Sequence, residues 1–102
     1  MQVAFSSRAV RQLADLNIYI AEMAGDAVAD GYTSRILAFC RRLDTFPHRG
    51  TRRDDILPGL RVVGFERRVS IAFLVMAETV LVEGIFYGGQ DWAAALKTPR
   101  DG

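Results

Sequence analysis

The sequence predicts an α+β fold: an N-terminal strand, an antiparallel two-helix hairpin packed on an antiparallel β-sheet, and a short C-terminal helix. Two observations support this prediction. In the first half of the chain, apolar residues recur every three or four positions, which is the period of an amphipathic helix. After Gly59 the apolar residues form the short branched and aromatic runs that are typical of strands.

Composition favours one folded domain over residues 1–102. Half of the 102 residues are hydrophobic and a quarter are charged, so we do not expect the body of the chain to be disordered. No apolar run reaches the roughly 18 residues of a membrane span, and the N-terminus does not resemble a secretion signal. With one cysteine and one histidine, we expect no internal disulfide, no metal site and no cofactor. The expected location is a reducing cytoplasm.

The N-terminal region is predicted to be a strand followed by a helix. Residues 2–6 alternate as a short strand does. Ser6 is a good N-cap for a helix over residues 8–24, and Gly25 is expected to end that helix. The side chains expected to face the core are Ala9, Leu13, Leu16, Ile20 and Met23.

A second helix is predicted over residues 27–46, with Asp26 as its cap and Pro47 as its stop. Because the turn between the helices is short, we expect the two helices to be antiparallel. A polar loop should follow over residues 48–59. The apolar stripe of the second helix is Val28, Tyr32, Ile36, Phe39, Leu43 and Phe46.

The segment after Gly59 is predicted to form three antiparallel strands with both helices of the hairpin on one face. The middle strand is apolar at odd and at even positions, so we expect it to be central and buried on both faces. The predicted strands are residues 60–65, 69–76 and 80–87. Gly88 and Gly89 should end the sheet before a helix over residues 92–97 and a frayed tail over residues 98–102.

The positive charge is concentrated in the middle of the chain. Residues 35–68 contain nine arginines and four acidic residues, a net charge of +5, whereas the whole chain has a formal charge of +1. This block is either a solvated surface or a surface for an acidic partner, which can be nucleic acid or an acidic protein segment.

Three segments resemble a known family: Gly-Leu-Arg at 59–61, Val-Ser-Ile-Ala-Phe-Leu-Val at 69–75 and Ile-Phe-Tyr-Gly-Gly-Gln-Asp at 85–91. In this order of elements, over nearly the whole chain, the sequence resembles the ParE branch of the RelE/ParE toxins of bacterial type II toxin–antitoxin modules. The resemblance implies a cytoplasmic toxin that a cognate, ParD-like antitoxin holds inactive. That antitoxin is usually a ribbon–helix–helix protein, through which alone the toxin reaches operator DNA.

The resemblance leaves two chemistries to compare. The ParE branch is associated with poisoning of DNA gyrase, which needs only a binding surface, whereas the RelE branch cleaves messenger RNA on the ribosome. RNA cleavage needs a base, cations around the phosphate and an acid. RelE-type enzymes resemble one another in using lysines, arginines and a C-terminal tyrosine. Here Ser70 and Gln90 replace two of the basic residues, no lysine precedes Arg61, and residues 92–96 contain no tyrosine. We therefore expect no catalytic residues.

Two alternatives to the gyrase inhibitor stay open. One is a RelE-like ribonuclease that uses Arg61, Arg67, Arg68 and Tyr87; however, Arg67 and Arg68 are consecutive and would point to opposite faces of a strand. The other is a non-toxic protein of the same fold, kept as an antitoxin-bound co-repressor. The residues predicted to bind the target are Arg61, Arg67, Arg68, Phe86, Tyr87, Asp91 and Trp92.

Several of these residues also have a structural interpretation. Asp91 is in the position of a helix cap, and the Trp92 ring can pack back onto the sheet. Arg61 can pair with one of three nearby acids, which are Asp54, Asp55 and Glu66. The residues predicted to bind the antitoxin are Leu13, Leu16, Tyr32, Arg35, Phe39, Arg52, Arg53 and Arg61.

Overall fold

A five-stranded sheet separates two long helices on one face from a short helix on the other. The computed structural model describes residues 1–97, so the predicted tail over residues 98–102 lies outside the described residues. The elements are β1 Gln2–Phe5, α1 Ser7–Ala24, α2 Asp26–Arg41 with a 3-10 turn at Arg42–Asp44, β2 Thr51–Arg52, β3 Leu60–Phe65, β4 Val69–Val75, β5 Thr79–Tyr87 and α3 Trp92–Lys97. The predicted α+β fold is confirmed.

The strands are ordered β1-β5-β4-β3-β2. The sheet is mixed rather than wholly antiparallel, because β1 pairs with β5 in parallel while the other pairs are antiparallel. A strand of four residues carries no information in its sequence about the direction of its neighbour, which lies more than 70 positions further along the chain. The two-residue strand β2 was not predicted, since it is too short to form an alternating pattern.

The α1–α2 hairpin begins and turns where the sequence predicts. The Ser6 hydroxyl accepts a hydrogen bond from the Ala9 N–H (3.1 Å) and donates one to the Glu83 carbonyl (2.7 Å), so the cap also ties α1 to β5. Asp26 is the first residue of α2, and Gly25 is in the cap position instead. The α-helix ends at Arg41 and continues only as the 3-10 turn, short of the predicted residue 46.

Two apolar clusters cover the two faces of the sheet. The hairpin packs on the first face, where Ile36 and Leu43 lie against Ile71 and Phe73. On the second face, Leu60, Ala72 and Phe86 lie under α3 and the loop before β3. β4 is therefore central and buried on both faces, as predicted. Three residues predicted to face the core are exposed, near the hairpin turn or beyond α2: Met23, Val28 and Phe46.

Gly50 connects the loop after α2 to the sheet in a conformation that only glycine adopts easily. Its φ is +78°, and a Cβ atom there would collide with the Val62 backbone carbonyl. Gly88 has a similar φ of +69°, but a Cβ atom there would meet nothing within 4 Å. The two glycines therefore separate the cost of the dihedral angle from the cost of the collision.

We expect Gly50→Ala to lower the free energy of unfolding by about 2 kcal/mol or more, because it adds a backbone collision to a left-handed φ. Gly88→Ala should cost about 1 kcal/mol, the cost of the dihedral angle alone. Urea denaturation of both variants and the parent chain measures this difference. Equal losses for the two variants would contradict the close approach of Gly50 to β3.

Candidate functional site

The turn between β3 and β4 presents two arginines to solvent. Glu66 and Arg67 have φ values of +46° and +67°, so Arg67 and Arg68 lie in a tight turn, not on a strand. The geometry of a strand, which would point them to opposite faces, therefore does not apply to them. The Glu66 carboxylate accepts two hydrogen bonds from Arg35 (3.0 and 3.2 Å), which lower the pKa of Glu66. The turn is thereby tied to α2.

Next to this turn is a cleft of about 510 Å³, the tyrosine cleft, between α1 and the end of β5. The Gly88 N–H donates to the Arg68 carbonyl (2.7 Å), which brings Arg68 to the Tyr87 side of the sheet. The Tyr87 ring lies 6.0 Å from the Tyr19 ring and 6.3 Å from the Tyr32 ring. The residues that line the tyrosine cleft include Gln12, Asp15, Tyr19, Arg68, Tyr87 and Gln90.

Gln12 and Gln90 hold the backbone around the tyrosine cleft. The Gln12 side-chain oxygen accepts from the Ile85 N–H (2.7 Å), and that of Gln90 accepts from the Tyr87 N–H (2.9 Å). Sequence reasoning missed Gln12 and Tyr19, because both depend on where α1 crosses β5.

The Tyr32 hydroxyl is buried without a hydrogen-bond partner among residues 1–97, and burial raises the pKa of Tyr32.

Arg61 lies at the other end of β3 from the turn that contains Arg67 and Arg68. About 13 Å of strand separates Arg61 from Phe65, at about 3.3 Å per residue. Its neighbours across the sheet are Arg52 and Phe73. The structure therefore brings Arg68 and Tyr87 together and leaves Arg61 apart from them.

The three acidic residues that the sequence suggests as partners of Arg61 each pair with a different arginine. Glu66 pairs with Arg35, Asp54 pairs with Arg52 (3.1 Å) and Asp55 pairs with Arg53 (2.8 Å). Within the described part of the chain, Arg61 forms no ion pair. Arg52 and Arg53 therefore have charges that direct ion pairs already match. Arg61 acts on Asp54 through its charge, without a direct ion pair among residues 1–97.

The second face of the sheet contains the remaining residues predicted to bind the target. The Asp91 carboxylate accepts from the Ala94 N–H (3.1 Å) and so caps α3. The Trp92 ring packs against the second apolar cluster, with the Arg53 guanidinium 5.1 Å from its centre. Phe86 is 4% exposed, so contact with a partner would require α3 to move away.

The residues predicted to bind the antitoxin are divided between surface and core. Leu16 and Phe39 are buried in the first cluster, at 6% and 8% exposure. Leu13 lines an apolar groove of about 390 Å³ along the outer side of the hairpin, the hairpin groove. It also includes Val10, which is 57% exposed and falls outside the apolar stripe of α1. An apolar residue outside the apolar stripe of a helix, such as Val10, is the sequence signal that could have revealed the hairpin groove.

Among residues 1–97, no group of three or more His, Cys, Asp or Glu side chains is placed to hold a metal ion. Cys40 is buried, which raises the pKa of its thiol to about 12. Over the same residues, no helix combines the length and apolarity required to cross a membrane.

The fold is that of a solved toxin–antitoxin protein. A structure described as the chromosomal ParDE TA system from P. aeruginosa aligns with a TM-score of 0.76, covering 86% of this chain and 96% of the other, at 20% sequence identity. The family model described as the ParE toxin of the type II toxin–antitoxin system, parDE, matches residues 3–92. The chain therefore belongs to the ParE toxin family. No curated protein matches the sequence.

Asp54 belongs to the loop before β3, which covers the second face of the sheet. The Asp54 carboxylate accepts hydrogen bonds from the Gly59 N–H (2.8 Å) and from Arg52 (3.2 Å), and in that order they lower its pKa. A lowered folded-state pKa stabilises the fold above the unfolded-state pKa of about 3.9, and this stabilisation is lost as the pH falls through the folded-state value.

We therefore expect Asp54→Asn to lower the melting temperature at about pH 7 and to have a smaller effect at about pH 3, where the carboxylate of the unfolded chain is largely protonated and part of the stabilisation is already lost. Thermal unfolding followed by circular dichroism measures both. Glu22→Gln is the control, since it removes an exposed carboxylate of α1 that forms no ion pair among residues 1–97. An effect of Asp54→Asn that is equal at both pH values would contradict the role of charge.

Proposed function

We propose that this chain is a cytoplasmic toxin that inhibits DNA gyrase by binding it, without catalysis, and that a cognate antitoxin neutralises it. The observation that carries the non-catalytic part is the separation of Arg61 from Arg68 and Tyr87 along β3. In-line attack on a phosphodiester requires cations and a proton-transfer group around one phosphate. Membership of the ParE toxin family supports the gyrase part.

The tyrosine cleft and the adjoining turn are the surface that we propose for the target. Arg67 and Arg68 are exposed, and neither has a carboxylate partner among the described residues. Tyr19 is 50% exposed, and with Tyr87 it offers the aromatic and guanidinium groups that dominate binding energy at interfaces. Arg61, Phe86, Asp91 and Trp92 stay predictions as target contacts.

The hairpin groove is the surface that we propose for the antitoxin. It is apolar along Val10, Leu13 and Leu37, and Arg41 is part of its lining. This combination suits an amphipathic segment that orders on binding and carries an acidic residue. The solved structure that shares the fold is named as a ParDE system, which supports a ParD-like partner. We propose that this antitoxin is a ribbon–helix–helix protein and that it alone contacts operator DNA.

The remaining predicted antitoxin contacts lie in two separate places, one at each end of β3. The Arg35 guanidinium lies 5.3 Å from the centre of the Tyr32 ring and pairs with Glu66. Arg52 and Arg61 are cross-strand neighbours at the opposite end of β3. Because Arg52 and Arg53 are both paired, and Arg52 is exposed while Arg53 is half-buried, we expect each to contribute little to affinity by itself.

A second candidate function, RNA cleavage, is favoured by one observation. Arg68 and Tyr87 line the same cleft, so a cation and a phenol are close together. The third alternative, a non-toxic co-repressor, predicts no effect on growth. Both are outcomes of the same experiment.

We expect expression of this chain without its antitoxin to lower DNA synthesis before protein synthesis, with a DNA-damage response. Pulse labelling of both processes after induction measures the order. Arg67→Ala/Arg68→Ala should weaken the effect, whereas Arg11→Ala, an exposed arginine on α1 outside every proposed contact, should not. An earlier fall in protein synthesis would support the ribonuclease, and normal growth would support the co-repressor.

We expect Val10→Glu to weaken antitoxin binding by about tenfold or more, because it places a charge in the apolar hairpin groove. Ile18→Glu is the matched control: Ile18 lies on the same helix at the same 57% exposure but does not line the groove. Calorimetric titration of each variant with the purified antitoxin gives the dissociation constants. Equal losses for the two variants would place the antitoxin elsewhere.

A further inference from the structure

A second basic surface lies on the loop after α2 and shares no lining residue with the tyrosine cleft or the hairpin groove. It is an open cleft of about 860 Å³, which we call the arginine cleft, lined by Arg42, Thr45, Phe46, Pro47, His48 and Arg49. None of these six residues has a role in the proposed function. All lie within the basic block that the sequence places at residues 35–68.

Two arginines of this cleft are positioned by the same aromatic ring. The guanidinium carbons of Arg42 and Arg49 lie 5.8 Å and 5.0 Å from the centre of the Phe39 ring. Phe39 is itself buried and packs on Phe65 of β3 at 5.2 Å between ring centres. The two cations are therefore held near each other by a fixed part of the core, which lowers the entropy lost when they bind a ligand.

The charges of these two arginines are not matched by any ion pair in the described part of the chain. Within residues 1–97, neither Arg42 nor Arg49 forms an ion pair, whereas Arg35, Arg52 and Arg53 each do. An arginine side chain presents a planar set of donors that suits phosphate and carboxylate oxygens. The arginine cleft is therefore suited to an anionic ligand with at least two charged groups.

An exposed aromatic ring in the arginine cleft indicates which class of anion fits it. Phe46 lines the cleft and is 67% exposed, although the helical period predicts it in the core. A large exposed ring beside unmatched guanidinium groups is the combination that binds single-stranded nucleic acid, whose phosphates meet the cations while an unpaired base stacks on the ring. In a duplex the bases are already stacked on each other, so this ring would contribute nothing.

We propose that the arginine cleft binds single-stranded nucleic acid, with phosphates at Arg42 and Arg49 and a base on Phe46. The activity is separate from the inhibition of gyrase, because it involves neither the tyrosine cleft nor the hairpin groove. The chemistry is common to DNA and RNA strands.

The test is fluorescence anisotropy of the full chain with labelled oligothymidylate, oligouridylate and a matched DNA duplex, over a series of salt concentrations. We expect both single strands to bind more tightly than the duplex. Arg42→Gln/Arg49→Gln should reduce the slope of log K against log[salt] by about 1.4, since each lost phosphate contact removes about 0.7 for a single strand. Phe46→Ala should weaken single-strand binding by about tenfold without changing that slope.

Two control variants separate local contacts from net charge and from folding. Arg11→Gln/Lys97→Gln removes the same charge elsewhere and should reduce the slope less. Arg42→Lys/Arg49→Lys keeps the charge and should keep the slope. Circular dichroism checks that each variant is folded. Because the Phe46 ring is exposed, Phe46→Ala should leave the fold intact, and it tests strand binding independently of the arginine variants.

Three results would overturn the proposal: no binding of either single strand at low salt, equal losses for the cleft variant and the charge control, or unchanged binding on Phe46→Ala. A labelled polyglutamate peptide is titrated in parallel. If polyglutamate binds and both oligonucleotides do not, the cleft is a site for an acidic protein segment instead. Gyrase supercoiling is measured separately, so loss of strand binding with intact inhibition leaves the proposed function standing.

Discussion

Burial of β4 on both faces is the constraint on which the rest of the structure depends. Ile71 and Phe73 face the hairpin, and Ala72 faces α3 and the loop before β3; all three are at most 1% exposed. Full burial of a side chain such as that of Ile71 or Phe73 contributes about 1.5–3 kcal/mol. One seven-residue strand therefore holds together the two layers that carry every surface discussed above.

The pairing of β5 with β4 determines where the residues of the tyrosine cleft lie. The register between them shifts by one residue where Ala72 faces Gly84 and Phe73 faces Val82. Beyond the shift, Ile85 donates its N–H to Gln12, and Tyr87 lies near Tyr19 of α1. A β-bulge redirects side chains at the edge of a functional site. The tyrosine cleft thus follows from the pairing of β4 with β5 and from the crossing of α1 over them.

Five arginines of the basic block differ in whether a carboxylate pairs with them. Arg35, Arg52 and Arg53 have carboxylate partners and serve the structure of a turn and a loop. Arg42 and Arg49 instead lie against Phe39. The net charge of the block is visible in the sequence, but its separation into matched and unmatched cations is not.

The sequence by itself determined the elements whose signals are local. The strand at Leu60–Phe65, the helix at Trp92–Lys97 and the Ser6 cap follow from alternation, turn residues and a hydroxyl before a helix. The three segments that resemble the ParE branch were enough to indicate the family. Tertiary structure alone decided the parallel pairing of β1, the separation of Arg61 from Tyr87 and the exposure of Phe46. These depend on contacts between residues far apart in the chain, and a periodic pattern in one segment carries no information about its distant partner.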